Sequence, residues 1–385
     1  MAVDTGVQSG FAWSRGELGA FVDEVVAPRA AEADRTGRID PDVLSACAAR
    51  GLWGAVLPVA QGGTGVGMVA LARLHEEAGR GCSALRSLLT VHSMALYALH
   101  RWGTDGVRQR WQAALVAGEA LGAFCLTEAE AGSDFAAIRT SARQRGDGWI
   151  LDGHKLWVTG GQLADVLLVF ARTQTGPAAF VVDAANPGVR RIPVPGVTGT
   201  RGSQVAEIVL DHCELPLDAI VGPEGMGLAV ATGVLDIGRF SVAAGCVGIL
   251  QACLRACVDY AGLRRQGGAP LRDHQLVQQL ISAMAVDTRA ARALVGQAAR
   301  LKDEGSPDTI MATCIAKQFA ATAAVAAAND AVQLHGARGC SDDYPVGRYL
   351  RDAKVMEIIE GSTQMQHVLI ADDACRNRAR VVIVE

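Results

Sequence analysis

The sequence predicts a mainly α fold with a small β domain set between two helical ones, and three observations carry that prediction. Apolar residues recur at helical spacing over residues 1 to about 120, short β runs take over from about 121 to 225, and helical spacing returns from about 226 to 385. Strand and helix nowhere alternate regularly, which disfavours a doubly wound dinucleotide fold. With 385 residues, half of them hydrophobic and one fifth charged, the chain can bury a sizeable core and is long enough for two or three domains.

In the first region Leu18, Phe21, Val22, Val25 and Val26 share a helical face, and Val43, Leu44, Cys47 and Leu52 form a second series. Asp40 is placed to cap that second helix, with Pro41 in its first turn. The middle region holds the β runs 123–126, 149–151, 156–158, 166–170, 179–182 and 208–210. Asp152-Gly153 lies between two of them and predicts a tight hairpin, because a type I′ turn needs positive φ at both central positions. In the last region Leu276, Val277, Leu280, Ile281 and Met284 return to helical spacing. Gly305 suits a left-handed helix end, Ser306 a cap and Pro307 the first turn of a helix running on alanines to about Leu334.

Composition narrows the function classes. The chain has 36 basic and 40 acidic residues, a net charge of -4 and no long block of one sign, so neither nucleic acid nor an anionic membrane is an expected partner. Ten scattered cysteines point to a reduced, cytoplasmic protein. The start Met1-Ala2-Val3-Asp4-Thr5 lacks the basic and apolar parts of a signal peptide. The apolar stretches 240–250 and 319–328 are interrupted before the roughly 20 residues a bilayer requires, and read as buried helices. Gly65-Val66-Gly67-Met68-Val69-Ala70 fits a G-x-G-x-x-A dinucleotide fingerprint, but its flanks are helical and Thr90, Val91 and His92 stand where an acid is needed. A plain loop is the better reading.

Two groups of residues carry chemistry. The first is the run from Phe124 through Leu126, Thr127 and Glu128 to Gly132, Ser133 and Asp134, followed about 25 residues later by Trp157-Val158-Thr159-Gly160. Amides and hydroxyls beside an indole suit a flat heteroaromatic ring. On residue type alone, Trp157 is equally a core tryptophan and Thr127 a strand end. The second group is Arg264, then Gln333 to Gly339 with His335, Gly336 and Ala337, then Glu360-Gly361-Ser362-Thr363-Gln364. A glycine after a carboxylate lets backbone approach a ligand, and Ser362 and Gln364 offer hydrogen bonds beside it. Cys253 and Cys257, at i and i+4, have no histidine or second cysteine pair at metal-ligand spacing and read as packed side chains, so no metal is expected.

Leu126-Thr127-Glu128 with Ala131-Gly132-Ser133-Asp134 resembles the flavin-binding signature of the acyl-CoA dehydrogenase family, and Arg351-Asp352-Ala353-Lys354 leading to Ile359-Glu360-Gly361 resembles its C-terminal signature. The likeness runs from roughly residue 15 to residue 375. It implies an N-terminal helical domain, a middle β-barrel-like domain, a C-terminal four-helix bundle, FAD as cofactor and Glu360 as catalytic base. Phe124, Leu126, Thr127, Trp157 and Thr159 would then hold the isoalloxazine, and Gly132 and Ser133 would lie by the phosphates, Ser133 also touching substrate. Arg264, Gln333, Gly336 and Ala337 would reach a neighbouring subunit's flavin, which implies a homodimer or homotetramer. Ser362 and Gln364 would complete the pocket, and Asp236, Arg239 and Gly361 would border the substrate. An electron-transferring flavoprotein or oxygen would accept the electrons.

Several residues depart from the family pattern. Gly267 stands where phenylalanine is usual, Ala337 where glycine is usual, Ser362 replaces threonine and His367 replaces arginine. The residue before the base is the aliphatic Ile359. The phrases 84–90, 245–250, 303–307 and 356–361 look most like the dehydrogenases that make hydroxymalonyl or methoxymalonyl extender units on an acyl carrier protein. That likeness implies a small oxygenated acyl thioester. Ordinary acyl-CoA desaturation in fatty-acid or branched-chain amino-acid breakdown is one alternative, and a flavin-free binding partner is another.

Overall fold

The computed structural model describes residues 13–376, and the start Met1 to Thr5 lies outside them. Six helices come first: α1 (Arg15–Phe21), α2 (Ala30–Thr36), α3 (Pro41–Ala49), α4 (Met68–Gly81), α5 (Ser83–Trp102) and α6 (Asp105–Ala117). Between α1 and α2 the chain stays helical but widens to a π turn at Val22–Val26 and tightens to a 3-10 turn at Ala27–Arg29. Pro28 explains the change, since it has no N–H to give and its ring blocks the ordinary α bond. Asp40 caps α3 as its spacing predicts, its carboxylate accepting the Asp42 N–H at 2.9 Å. Gly67 lies in a loop before α4, and the Met68 N–H donates to the Asp303 carboxylate at 2.7 Å, so a side chain already fills that helix end.

The middle region is a sheet of β1 (Gly122–Cys125), β2 (Ser141–Arg145), β3 (Gly148–Val158), β4 (Val166–Thr173), β5 (Gly176–Asp183), β6 (Val189–Pro193), β7 (Ala206–Pro216) and β8 (Ile220–Val221). Its order is β6-β7-β3-β2-β4-β5-β8, with β1 parallel to β4. Only Ser141 and Arg172 join β2 to β4, so two leaflets curl around a core that includes Leu151, Val169, Phe180 and Ile208.

Asp152-Gly153 is not the predicted hairpin; it lies inside the single long strand β3. The turn comes earlier, at Gly146-Asp147 between β2 and β3, with Gly146 at φ 60°. Asp152 and Gly153 instead face a bulge in β7, where His212 takes φ 47° and its N–H donates to the Asp152 carboxylate at 2.7 Å. Gly153 serves close packing, for a Cβ there would stand 2.6 Å from Thr140 Cβ.

The last region comprises α7 (Gly227–Leu263), a hairpin of β9 (Arg265–Gln266) and β10 (Ala269–Pro270), α8 (Gln275–Asp303), α9 (Thr309–His335), α10 (Val346–Met356) and α11 (Thr363–Arg376). Gly267 and Gly268 make the two-residue hairpin turn, at φ 57° and 82°. Gly305 ends α8 in the left-handed conformation as predicted, at φ 65°. The next helix starts later than its sequence suggests: Ser306 Oγ accepts the Asp308 N–H at 3.3 Å, shaping a turn, and α9 begins at Thr309. Helices α7 and α9 run well beyond the apolar stretches seen in the sequence, and by length and composition each could cross a membrane. In α7, however, 72% of the apolar window is buried against protein, as suits a core helix. The helical regions on both sides of the sheet share one core, in which α4 and α5 pack on α7 and α9 on α7. All ten cysteines are free, and Cys253 and Cys257 are packed in that core.

Candidate active site

Glu360 stands in the turn between α10 and α11. Glu360 and Gly361 both take left-handed φ values, 55° and 86°. For a glutamate this costs on the order of 1 kcal/mol, and side chains from three helices hold it there. Arg239 Nε donates to the Glu360 carbonyl at 3.3 Å, Lys317 Nζ to the Gly361 carbonyl at 2.7 Å, and Gln366 Nε2 to the Gly361 carbonyl at 3.3 Å. Although the residue is half-buried as a whole, its Oε2 is enclosed and has no hydrogen-bond partner among the described residues. The carboxylate lies over Gly238 of α7, where a Cβ would come within 2.6 Å of Glu360 Cδ and 2.9 Å of Met94 Sδ. Burial pushes the Glu360 carboxyl up to about 7, against the opposing pull of Arg239, Arg86 and Lys317.

Those cations are themselves buried or nearly so. Arg86, on α5, donates to Thr90 Oγ1 at 3.1 Å, Ser87 Oγ at 2.9 Å and Met356 Sδ at 2.9 Å. Thr90 Oγ1 meets Ser241 Oγ at 2.9 Å, and Ser241 donates to the Gly238 carbonyl at 2.8 Å, so the network ends beneath the carboxylate. Burial lowers the Lys317 ammonium to about 8. Asp236, one turn before Arg239, is ion-paired with Lys302. The structure therefore brings Arg239, Glu360 and Gly361 together, with Asp236 one turn away on α7 and paired to Lys302. It adds Arg86, Gly238, Lys317 and Gln366, which sequence reading passed over. Lys317 had a signal: it interrupts an alanine stripe (Ala316, Ala320, Ala324) on a helix face that is otherwise apolar and buried. Arg86 interrupts Leu85, Leu88 and Leu89 in the same way.

The second group forms on the sheet. The Leu156 N–H donates to the Thr127 carbonyl at 2.9 Å, fastening loop 127–134 to β3. Beneath it Lys155 is fully buried, donating to Glu128 Oε1 at 2.6 Å and to the Leu126 carbonyl at 3.1 Å. Glu128 also accepts the Arg139 and Thr140 N–H groups, at 2.6 and 3.0 Å, which closes loop 127–140 into a ring. Trp157 is no core residue: it is 62% exposed and its backbone sits at φ 58°. Thr127 and Thr159 are half-buried beside it, Leu126 is buried, and Phe124 packs edge-on against Phe170. Gly132 and Ser133 are exposed, and a Cβ on Gly132 would meet nothing within 4 Å. A Cβ on Gly160 would touch Leu88 of α5 at 3.1 Å, so the end of β3 abuts the helix that carries Arg86. Ser362 Oγ accepts the Met365 N–H at 3.3 Å at the start of α11, and Gln364 is exposed.

Arg264 and the run from Gln333 to Ala337, which the sequence pattern groups with Glu360, lie apart from the Glu360 turn and from the sheet. Arg264 joins Tyr260, Arg265, His335 and Arg338 around a groove of about 860 Å³, with the Tyr260 and His335 rings stacked at 4.3 Å. Gln333, Gly336 and Ala337 are exposed at the adjoining end of α9. No hydrogen bond among the described residues links this groove to the Glu360 turn.

Family models of the acyl-CoA dehydrogenases match in three consecutive parts: the N-terminal domain over residues 14–119, the middle domain over 123–213 and the C-terminal domain over 225–374. The chain belongs to the acyl-CoA dehydrogenase family. A glutaryl-CoA dehydrogenase of Desulfococcus multivorans is 35% identical over 367 residues, 93% of this chain and 94% of that protein. Among solved structures, FkbI, for biosynthesis of the methoxymalonyl extender unit of the Fk520 polyketide, is 38% identical with a TM-score of 0.87, covering 94% of this chain and 99% of that one. The prolyl acyl carrier protein oxidase AnaB is 26% identical with a TM-score of 0.88, covering 93% and 97%. Acyl-CoA dehydrogenases are FAD enzymes, and this acyl-CoA dehydrogenase chain has a surface to match. An indole is held outward by a strained backbone, a loop of small and polar residues lies open beside it, and an enclosed carboxylate has no partner of its own.

Proposed function

We propose that this chain oxidises a small acyl thioester with Glu360 as base, and that the acyl group arrives on an acyl carrier protein in polyketide extender-unit biosynthesis. The single observation that carries the reading is the Glu360 carboxylate, whose Oε2 is enclosed without a hydrogen-bond partner among the described residues and which three cations flank. A base pushed up to about 7 by burial is ionised in part at neutral pH and still strong enough to take a proton. Its backbone N–H donates to the thioester oxygen, where charge develops as the proton leaves, while Arg86, Arg239 and Lys317 face the carboxylate itself. Phe124, Leu126, Thr127, Trp157 and Thr159 would hold the isoalloxazine of FAD, Gly132 and Ser133 would lie by the cofactor's phosphates, and Ser362 and Gln364 would close the pocket. When bound, FAD supplies the acceptor for the substrate's hydride. Asp236, Arg239, Ser133 and Gly361 border the thioester. Arg264, Gln333, Gly336 and Ala337 serve the cofactor of a neighbouring copy, which makes the working form an oligomer. Electrons leave to an electron-transferring flavoprotein or to oxygen.

The carrier-protein assignment is supported by likeness to FkbI along nearly its whole length. Likeness to a glutaryl-CoA dehydrogenase favours a second reading, α,β-desaturation of a CoA ester. An assay of the flavin-loaded protein against acyl-CoA esters and carrier-protein thioesters, with a dye as acceptor, separates the two. Turnover confined to small oxygenated carrier-protein thioesters is expected. Strong turnover of butyryl-CoA or longer esters would reject the carrier-protein reading.

A further inference from the structure

Proton transfer needs a carboxylate, but it does not by itself explain the cation behind the turn. Lys317 has no exposed surface and is held in the middle of α9. Its one short hydrogen bond is to the Gly361 carbonyl, at 2.7 Å. A neutral donor would satisfy one carbonyl, and burying an ammonium is costly unless a negative charge answers it. Lys317 faces Cys246 and Arg239 from α7 and Glu357 and Glu360 from the segment after α10. Glu360 in turn faces Arg239 on α7, Arg86 on α5 and Lys317 on α9. Gln366, fully buried, donates to the same Gly361 carbonyl at 3.3 Å, so the turn keeps a second fastening if the lysine is changed.

We propose that Lys317 is a positioning residue for the base: its buried ammonium fixes the left-handed Glu360-Gly361 turn through the Gly361 carbonyl and sets a positive charge behind the Glu360 carboxylate. The inference rests on Glu360 being the base. It gives the site a working window, because the carboxyl, raised by burial to about 7, must be ionised while the ammonium, lowered by burial to about 8, is still protonated.

The test compares wild type with Lys317→Gln, Lys317→Met and Lys317→Arg, all flavin-loaded. Wild-type kcat/KM should be bell-shaped in pH. Lys317→Gln keeps a donor and removes the charge, so the acidic limb should move up by about one pH unit, the alkaline limb should vanish and the plateau should fall to the level that wild type reaches at alkaline pH. Lys317→Met also frees the turn and should lower kcat on the order of 100-fold. Lys317→Arg should restore the acidic limb. A second readout needs no substrate: pH-difference infrared spectra should show the protonated carboxyl band, identified by its loss in Glu360→Gln, persisting to higher pH in Lys317→Gln. Both the pH profile and the infrared band staying at the wild-type pH in Lys317→Gln would overturn the proposal, even if the variant were less stable. Full turnover in Glu360→Gln would instead defeat the choice of base, and the infrared titration would still decide whether Lys317 acts on that carboxyl.

Discussion

The Glu360 turn and the Arg264 groove are both lined with cations, and they differ in what answers the charge. At the turn, Arg86, Arg239 and Lys317 donate to hydroxyls, thioether or carbonyls of the same chain, and their fields converge on one enclosed carboxylate. At the groove, Arg264, Arg265 and Arg338 stand at the surface around a stacked Tyr260 and His335. The difference teaches that one chain suffices to converge three cations on one carboxylate, whereas the groove arginines, of which Arg265 and Arg338 also donate to Gly268 and Tyr344, stand open to a group outside the chain. In the proposed function that outside group is the diphosphate and adenosine of a neighbour's FAD.

Four experiments break or sharpen this contrast. The largest effect is expected from Glu360→Gln: turnover should fall by about 10⁴-fold, as loss of a positioned base does, while flavin absorbance on the purified protein stays near wild type. Near wild-type turnover would place the base elsewhere. The same variant should be more stable than wild type in alkaline solution. The Glu360 carboxyl is raised from its ordinary 4.5 to about 7, so its burial is harmless below 4.5, costs stability increasingly as pH rises from 4.5 to 7 and carries its full penalty above 7. By linkage the advantage of Glu360→Gln should reach about 3 kcal/mol above that point and vanish in acid, measured by urea unfolding at pH 4.5 and pH 8. Equal unfolding midpoints at pH 8 would mean that the carboxylate is better solvated than its enclosure implies. Next comes Gly238→Ala, whose methyl would occupy the carboxylate's place; kcat should drop roughly 100-fold with flavin retained. The smallest effect belongs to the groove: Arg264→Ala should weaken FAD binding about tenfold and leave kcat at saturating FAD unchanged. A fall in kcat there would show that the two regions are not independent.

What could be read from sequence follows the same division. Helical spacing marked the outer regions, and Asp40 and Gly305 acted as the cap and stop their chemistry suggests. Glu360 was legible because a glycine follows it within a long recognisable phrase. Strands β2 and β6 left little trace, since Ser141–Arg145 is mostly exposed and polar and Val189–Pro193 is only partly buried, with two arginines and a proline among its five residues. Asp152-Gly153 misled because local turn preference was overridden by pairing with the bulged β7. Trp157 was ambiguous because indole type does not say which side of a strand is covered. The partners of Glu360 were hidden for a different reason. Arg86, Gly238, Lys317 and Gln366 come from four helices and meet only in three dimensions.

The ring closed by Glu128 has a consequence for how cofactor joins apoprotein. Lys155 Nζ and two backbone N–H groups converge on one carboxylate, so loop 127–140 is shaped by bonds internal to the chain. Ordering entropy for that segment is lost during folding and need not be lost again on association. Uptake of flavin should then resemble a key entering a cut lock: rapid, with a small heat-capacity change, and not limited by the making of the loop.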